Sequence, residues 1–214
     1  MGKKKEEALQ DLESLRPALA ELERAAVWIA NRTLDNITHK VLITIQSRGK
    51  KANCLGWFDK ARWSTREGEP IHELNITAEY LQRDPVDIIE TMAHELCHLQ
   101  NSFADIKDVA KGGRHNKKFK EQAEIMGLAV EEPYDGRGYA YTSLTDEFRE
   151  EILEDFKPDV VMFNLFREIK LVPKAENKTK AYICECEKGP TIRTAKEFRA
   201  TCDDCQASFV LKEA

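Results

Sequence analysis

The stretch "RDPVDIIETMAHELCHLQNSF", Arg83 to Phe103, decides the fold of this chain. It predicts a helix with a well-defined start, because Asp84 suits the N-cap, Pro85 suits the first helical position and Asp87 places negative charge in the first turn. Apolar residues at helical spacing give the helix a side that we expect to be buried, namely Val86, Ile89, Ala93, Leu96 and Phe103.

Two histidines lie four residues apart on this helix. His94 and His98 therefore project from the same side and can aim an imidazole nitrogen at one point. Glu95 lies close enough to face a water molecule bound at that point without becoming a ligand. This HExxH arrangement holds a zinc ion between two neutral nitrogens, and the carboxylate takes a proton from the bound water. We predict a catalytic zinc with Glu95 as general base; the alternative is a helix that carries two polar residues by chance.

A catalytic zinc usually has a third protein ligand and leaves the fourth position to water. The metzincin subclass is excluded, because the position of its third histidine, six residues after the second, is Ala104. The remaining candidates are Glu121, Glu124 and His115. We prefer His115, because a glycine pair before it lets the chain turn back and Phe119, four residues later, anchors the next helix in the core.

The rest of the chain predicts an α+β fold. Leucines at helical spacing from Glu6 to about Arg32 indicate a long amphipathic helix, with Pro17 as a kink. Strand-like composition and short connections predict a small antiparallel sheet formed by residues 40–46, 53–59 and 70–77.

Two further helices are expected after the HExxH helix. The first covers "HNKKFKEQAEIMGL" and ends at Gly127. The second covers "LTDEFREEILEDF", with Phe148, Ile152 and Phe156 on one side. We assign residues 1–171 to the main domain and the polar segment 172–180 to a linker.

Composition and charge exclude several classes of protein. With 42% hydrophobic and 33% charged residues the chain is globular, and its net charge of -5 argues against a protein that coats nucleic acid through charge alone. No apolar run approaches the roughly 20 residues of a membrane span, and "MGKKKEEALQ" does not lead into a signal sequence. We therefore expect a soluble, cytoplasmic protein without membrane partners.

The C-terminal residues 181–214 contain two close cysteine pairs, Cys184 with Cys186 and Cys202 with Cys205. Without a secretory signal, such pairing favours a metal over disulfides, and we predict a structural zinc in a zinc ribbon. The alternative of two redox-active pairs has no support in the surrounding residues. The other cysteines, Cys54 and Cys97, are interpreted as buried free thiols.

The motifs together resemble a known family. "HELCH" (His94 to His98) followed by "GRHNKKFK" (Gly113 to Lys120) is similar to the SprT-like zinc metalloproteases, in which a third histidine opens the next helix and an aromatic residue follows four positions later. The resemblance covers roughly Val41 to Leu128 and extends to the terminal cysteines, because SprT-like proteins often end in a zinc ribbon. The family commonly has glycine after the third histidine, whereas this chain has Asn116, so the local backbone is expected to differ.

The resemblance implies a zincin fold of the minigluzincin type and a zinc-dependent endopeptidase that acts on DNA-bound or DNA-crosslinked proteins. It further implies that the strand before the active-site helix, "IHELNIT" (Ile71 to Thr77), is an exposed edge that pairs with the substrate backbone. Broad protein specificity would follow, because this pairing does not depend on substrate side chains.

Contact with DNA would have to be local. Residues 167–214 have ten Lys/Arg against eight Asp/Glu, which leaves the first 166 residues at a net charge of -7. Two basic groups are candidates for phosphate contacts. The first group lies beside the proposed third ligand and comprises Lys111, Arg114, Lys117, Lys118 and Lys120. The second group lies in the ribbon and comprises Lys180, Lys188, Arg193, Lys196 and Arg199. The alternative is that these are ordinary solvated lysines and arginines.

Two other functions remain open. One is a non-proteolytic, nucleic-acid-binding adaptor with structural zinc sites, although such a protein has no need of Glu95. The other is a regulatory protease that cleaves a single repressor-like protein. For an endopeptidase, an oxyanion-stabilising residue is also expected, and the sequence leaves four candidates, Tyr134, Arg137, Tyr139 and Tyr141.

Overall fold

A computed structural model shows a mixed α+β protein that divides into two compact units, Met1–Ile169 and Lys170–Ala214. The structure describes residues 13–33, 41–47, 54–169, 179–184, 186 and 190–212. The predicted helical residues before position 13, His39 and most of the predicted linker 172–180 lie outside these residues.

The first described helix, α1, spans Arg16–Thr33. Ser14 Oγ accepts a hydrogen bond from the Arg16 N–H at 3.1 Å, so a side chain satisfies one of the free donors at the helix start. Pro17 lies in the first turn, where its missing N–H costs nothing, and the prediction of a kink there was wrong. Leu22 and Ile29 are fully buried in the core, as the leucine pattern indicated.

The main sheet has three strands, β1 (Val41–Gln46), β2 (Gly56–Ser64) and β3 (Pro70–Thr77), in the order β1-β3-β2. β2 is antiparallel to β3, but β1 is parallel to it, so the sheet is mixed and the prediction of an antiparallel sheet was wrong. Connection lengths do not reveal which strand is central. Here β3 pairs between the two strands that precede it in sequence, and these two run in opposite directions.

The HExxH helix, α2, spans Pro85–Phe103 and begins as predicted. Asp84 accepts a hydrogen bond from the Val86 N–H at 2.8 Å, Pro85 is the first helical residue and Asp87 lies in the first turn. Phe103 is 45% exposed, contrary to the prediction, because the helix ends there and its ring lies edge-on to His72. The other predicted core positions are buried, and so are four residues on further faces of the helix, Ile88, Met92, Cys97 and Leu99. α2 is therefore the central helix of the core.

Two antiparallel strand pairs and two further α-helices follow α2 in this unit. Strands β4 (Val109–Ala110) and β5 (Arg114–His115) form a hairpin, which leads directly into α3 (Lys117–Met126). Gly127 ends α3 in a left-handed conformation, as predicted. Strands β6 (Leu128–Val130) and β7 (Thr142–Leu144) then pair antiparallel. They are followed by α4 (Asp146–Glu151), which continues into a π-helical turn (Ile152–Phe156). The predicted apolar side of this last segment is buried.

The second unit has a small antiparallel sheet of its own. Strands β8 (Lys180–Ile183), β9 (Thr191–Thr194) and β10 (Val210–Leu211) lie in the order β10-β8-β9. Phe198 contacts both Tyr182 and Phe209, with ring centroids 5.6 Å and 5.7 Å apart. Three aromatic rings make a small apolar core for so short a chain.

Among the described residues, no helix combines the length and the apolar character that crossing a membrane requires.

Gly127 tests the packing at the end of α3. Its φ of 94° disfavours a side chain, and a Cβ at this position would lie 3.1 Å from Phe148 Cδ1. We expect Gly127→Ala to lower the free energy of unfolding by about 1–2 kcal/mol. Urea denaturation followed by tryptophan fluorescence measures this in the first unit alone, because Trp28, Trp57 and Trp63 all belong to it.

Gly136→Ala is the matched control, because it has ordinary φ and nothing lies within 4 Å of its Cβ position. It should change the unfolding free energy by less than about 0.5 kcal/mol. Equal effects of the two substitutions would contradict the proposed strain at Gly127.

Candidate metal centres

Three histidines from two elements converge on one point. His94 and His98 project from α2, and the β4–β5 hairpin brings His115 against them. His115 Nε2 lies 3.2 Å from His94 Nε2 and 3.0 Å from His98 Nε2. These are the three ligands expected from the sequence. The alternatives, Glu121 and Glu124, lie on the exposed side of α3 and pair with lysines.

The outward-facing nitrogens of the two α2 histidines have polar partners. His98 Nδ1 donates to Asp108 Oδ2 at 2.7 Å, and Asn101 Nδ2 donates to the same oxygen at 3.1 Å. His94 Nδ1 lies 3.0 Å from Thr142 Oγ1. When the protons reside on Nδ1, each Nε2 presents a lone pair to the shared point, as a metal site requires. Sequence reasoning missed Asp108 and Thr142, and no spacing rule signals them.

Burial favours the uncharged form of His94 and His115. It lowers the pKa of His94 well below the ordinary value, and proximity to His98 and His115 lowers it further. Burial also lowers the pKa of His115 to about 4. Burial alone would raise the pKa of Asp108, but hydrogen bonds from His98 and Asn101 outweigh this and lower it, which favours the carboxylate. At neutral pH His94 and His115 are therefore neutral imidazoles, and Asp108 is an anion.

The donor geometry fits a tetrahedral metal ion. Two nitrogens bound at the usual zinc distance would lie about 3.4 Å apart, close to the separations seen here. The three Nε2 lone pairs directed at one point repel each other unless a cation lies between them. The other ring nitrogen of His115, Nδ1, is buried without a hydrogen-bond partner in the described chain. Phe119 packs against all three imidazoles at centroid distances of 4.4–4.7 Å and is fully buried, as its predicted anchoring role required. The three histidines can therefore hold a metal ion.

A cleft of about 680 Å³ opens over the three histidines. The Glu95 side chain lines it and is only 6% exposed. Gly56 of β2 packs closely beside it, since a Cβ there would lie 3.2 Å from Glu95 Cγ and 2.8 Å from the Asn75 carbonyl oxygen. The missing side chain at position 56 lets the sheet approach the carboxylate.

The edge of the sheet at this cleft is β2, not the strand predicted. "IHELNIT" belongs to β3, which is the central strand with both sides paired. The expectation that it forms the exposed edge was wrong. Which strand is the edge depends on the order of strands in the sheet, and β3, although last of the three in sequence, lies between the other two. β2 has β3 on one side, and its residues Gly56, Trp57 and Phe58 line the cleft.

The cleft narrows the four oxyanion candidates to two. Arg137 and Tyr141 line it. Tyr141 Oη donates to Asp135 Oδ2 at 2.6 Å, and Tyr134 is 70% exposed and stacks on the Tyr141 ring. Tyr139 lies beside Lys120, with the Lys120 nitrogen 5.2 Å from its ring centroid.

Asn116, which replaces the glycine of the resembled family, caps α3. Its Oδ1 accepts hydrogen bonds from the Lys118 and Phe119 N–H groups, and its Nδ2 donates to the Lys107 carbonyl at 2.9 Å. The cap fixes the start of α3 and ties it to the loop before the hairpin. The departure therefore leaves His115 in place.

The second cluster consists of the four predicted cysteines of the C-terminal unit. Cys184 Sγ lies 3.3 Å from Cys186 Sγ and 3.2 Å from Cys205 Sγ, and Cys186 Sγ lies 3.8 Å from Cys202 Sγ. A tetrahedral zinc thiolate site has sulfur atoms about 3.8 Å apart, so this cluster can also hold a metal ion.

The remaining cysteines differ from each other. Cys97 is fully buried within α2, as predicted, and burial raises its pKa well above the ordinary value. Cys54 is only partly buried and lines the metal cleft.

Only part of the first basic group is available for phosphate. Lys120 pairs with Glu132 and Lys118 with Glu121, each at 2.7 Å. Within the part of the chain that the structure describes, Lys111, Arg114 and Lys117 are exposed and form no ion pair. In the ribbon, Lys180, Arg193, Lys196 and Arg199 are exposed, and Lys188 lies outside the described residues.

Comparisons with known proteins found no matching family model, no similar curated protein and no similar solved structure.

Asp108 offers a test of the histidine site that needs no assay of activity. Asp108→Asn removes the anion behind His98, and we expect it to weaken metal binding there about 10- to 100-fold. Competition with a chromogenic chelator measures this, and the cysteine site serves as an internal reference. Asp105→Asn is the control, since the Asp105 side chain is fully exposed. Equal affinities for both variants would contradict the role of Asp108.

Proposed function

We propose that this protein is a zinc-dependent endopeptidase of the SprT-like type, with a zincin fold of the minigluzincin class and a C-terminal zinc ribbon. One observation carries the proposal. The Nε2 atoms of His94 and His98 lie within 3.2 Å of His115 Nε2, and Glu95 lines the same cleft beside the edge of a sheet. Zinc-dependent peptide hydrolysis requires three protein ligands to the metal and a general base.

Zinc is the metal that the donors favour. His94, His98 and His115 would hold a catalytic ion, and Cys184, Cys186, Cys202 and Cys205 a structural one. When bound to the histidines, zinc polarises the scissile carbonyl and acidifies a bound water molecule. The ribbon has so little apolar core that metal binding is expected to determine whether it folds.

The remaining steps belong to residues of the chain. The Glu95 carboxylate accepts the proton of the attacking water and passes it to the nitrogen of the leaving amine. Its burial beside Gly56 keeps competing solvent away. Arg137 lines the cleft as a donor for the carbonyl oxygen when it gains negative charge, whereas the Tyr141 hydroxyl, which also lines the cleft, donates its proton to Asp135.

The substrate backbone would pair with β2. Gly56, Trp57 and Phe58 of the edge strand line the same cleft as Glu95, so an extended segment added to this edge would lie near Glu95. Backbone pairing favours unfolded or flexible protein segments over a particular sequence.

DNA-bound proteins are the substrate class that we favour. The exposed cations Lys111, Arg114 and Lys117 lie on or beside the β4–β5 hairpin, whose residues Val109 and Gly113 line the cleft. Phosphates held by these cations would place a protein on the same nucleic acid near the metal site. A regulatory protease with a single substrate would need no such cations. A purely structural adaptor would need no buried carboxylate beside the histidines.

Glu95→Gln tests the proposed chemistry. Removing the base should lower the rate of peptide-bond cleavage at least about 100-fold, because a general base contributes that much or more. Both proteins should contain two zinc ions by elemental analysis, because Glu95 is not a ligand. Casein and a DNA-bound histone are suitable substrates. Glu121→Gln, on the exposed face of α3, is the control and should retain full activity.

Equal cleavage by Glu95→Gln and wild type would exclude this mechanism. Two zinc ions without cleavage in the wild type would instead favour the adaptor.

The DNA hypothesis predicts a separate effect of charge. Lys111→Gln combined with Lys117→Gln should weaken binding of an oligonucleotide and reduce the slope of log affinity against log salt by about 1.4–1.8. Cleavage of a DNA-bound protein should fall with it, whereas cleavage of casein should not. Lys118→Gln combined with Lys120→Gln is the matched control, because both lysines are already paired with glutamates. DNA binding that is unaffected by the first pair would rule out this surface.

A further inference from the structure

A second, smaller cavity of about 250 Å³ adjoins the metal cleft. It lies between the C-terminal turn of α2, the loop after it and the edge strand β2. The two cavities share Phe58, His98 and Asp108 as lining residues. A chain bound in the cleft could therefore place a side chain in the smaller cavity.

Ser102 links this cavity to the proposed site through helix geometry. His94, His98 and Ser102 are spaced four residues apart on α2 and lie in one row. Ser102 is about 6 Å along the helix axis from His98, and two residues of an extended chain span about 6.7 Å. A substrate side chain two or three residues from the scissile bond would therefore reach Ser102.

Among the residues that the structure describes, none is a hydrogen-bond partner of the Ser102 hydroxyl. Its Oγ is buried and forms no hydrogen bond within the described residues. A buried polar atom without a partner is costly, so a ligand that bonds to it gains affinity. Ser102 lines the cavity, so a change of its χ1 rotamer would present this unsatisfied hydroxyl to a ligand bound there.

The other lining residues indicate which side chain fits. Phe58 and Ile106 supply apolar surface for a short aliphatic stem. Lys60 and Lys107 add two positive charges, while Asp105 and Asp108 are the acidic residues. Asp108 is already bonded to His98 and Asn101, and Asp105, whose side chain is fully exposed to water, pairs with Lys60 only at 3.9 Å. The unsatisfied hydroxyl and the lysines together favour a side chain that ends in an acceptor oxygen.

We propose that this cavity is a specificity subsite for an acidic side chain of the substrate, with Ser102, Lys60 and Lys107 as the residues that recognise it. The inference rests on the proposed peptidase function and adds a preference to it. Glutamate fits best, since its stem matches the apolar walls and its carboxylate can reach both the hydroxyl and a lysine. Lysine and arginine are disfavoured by the same charges.

The test uses the full-length, zinc-loaded protein and a peptide library, with cleavage sites mapped by mass spectrometry. In wild type we expect glutamate to be enriched over lysine about 3- to 10-fold at one fixed position, two or three residues from the cleaved bond. Ser102→Ala should reduce that enrichment, and Lys60→Glu combined with Lys107→Glu should reverse it in favour of lysine. Lys196→Glu combined with Lys212→Glu changes the net charge equally in the other unit and should leave it unaltered.

Binding provides a readout that does not depend on cleavage. In the Glu95→Gln background, a fluorescent peptide with glutamate at that position should bind about 3- to 10-fold more tightly than its lysine counterpart, measured by anisotropy, and Ser102→Ala should reduce the difference. Cleavage without a preference, or a preference that survives both cavity variants, would overturn the subsite. Selective binding by a wild type that cleaves nothing would overturn the peptidase and leave the subsite standing.

Discussion

Three imidazole nitrogens, two of them within 3.2 Å of the third, constrain the whole first unit. His94 and His98 are fixed by α2, so the third nitrogen must come from an element that turns back over that helix. The β4–β5 hairpin does this with Gly112 and Gly113, both at positive φ, where other residues would be strained. Phe119 then fills the space behind the three rings.

The loop that carries the oxyanion candidates depends on the same histidines. The His115 N–H donates to the Arg137 carbonyl, and the Tyr139 N–H donates back to the His115 carbonyl at 3.2 Å. Gly138 permits this contact, because a Cβ there would lie 2.0 Å from the His115 carbonyl oxygen. Thr142 joins the end of the loop to His94. The positions of His115 and of the loop are therefore coupled, and Arg137 is held at the cleft by the backbone of His115.

Local rules account for what the sequence could predict. The row of histidines, the Asp84 cap, the stop at Gly127 and the buried Phe119 each depend on residues within one or two helical turns. The convergence of His115 on α2 also followed, because a glycine pair and an anchoring aromatic residue restrict where a short connection can lead.

Features that depend on distant pairing could not be predicted in this way. The sheet order is one example, since β3 lies between strands that precede it. Thr142 is another, because it meets His94 from 48 residues away through β7. The prediction of which strand forms the edge at the cleft was wrong for the same reason, because it depends on the sheet order. In addition, only part of β2 is regular enough for another strand to pair with it. Its pairing with β3 shifts register between Asp59 and Trp63, where Ala61 has a φ of 55° and donates its N–H to His72 Nδ1. The bulge bends the strand, so only about four residues from Gly56 remain regular beside the cleft. Each backbone hydrogen bond contributes only about 0.5–1.5 kcal/mol, and so short an edge binds a substrate weakly by itself. For the proposed peptidase, contacts outside the strand would then have to add to affinity, which would give the hairpin cations and the cavity at Ser102 more influence on substrate choice than they would have beside a long edge.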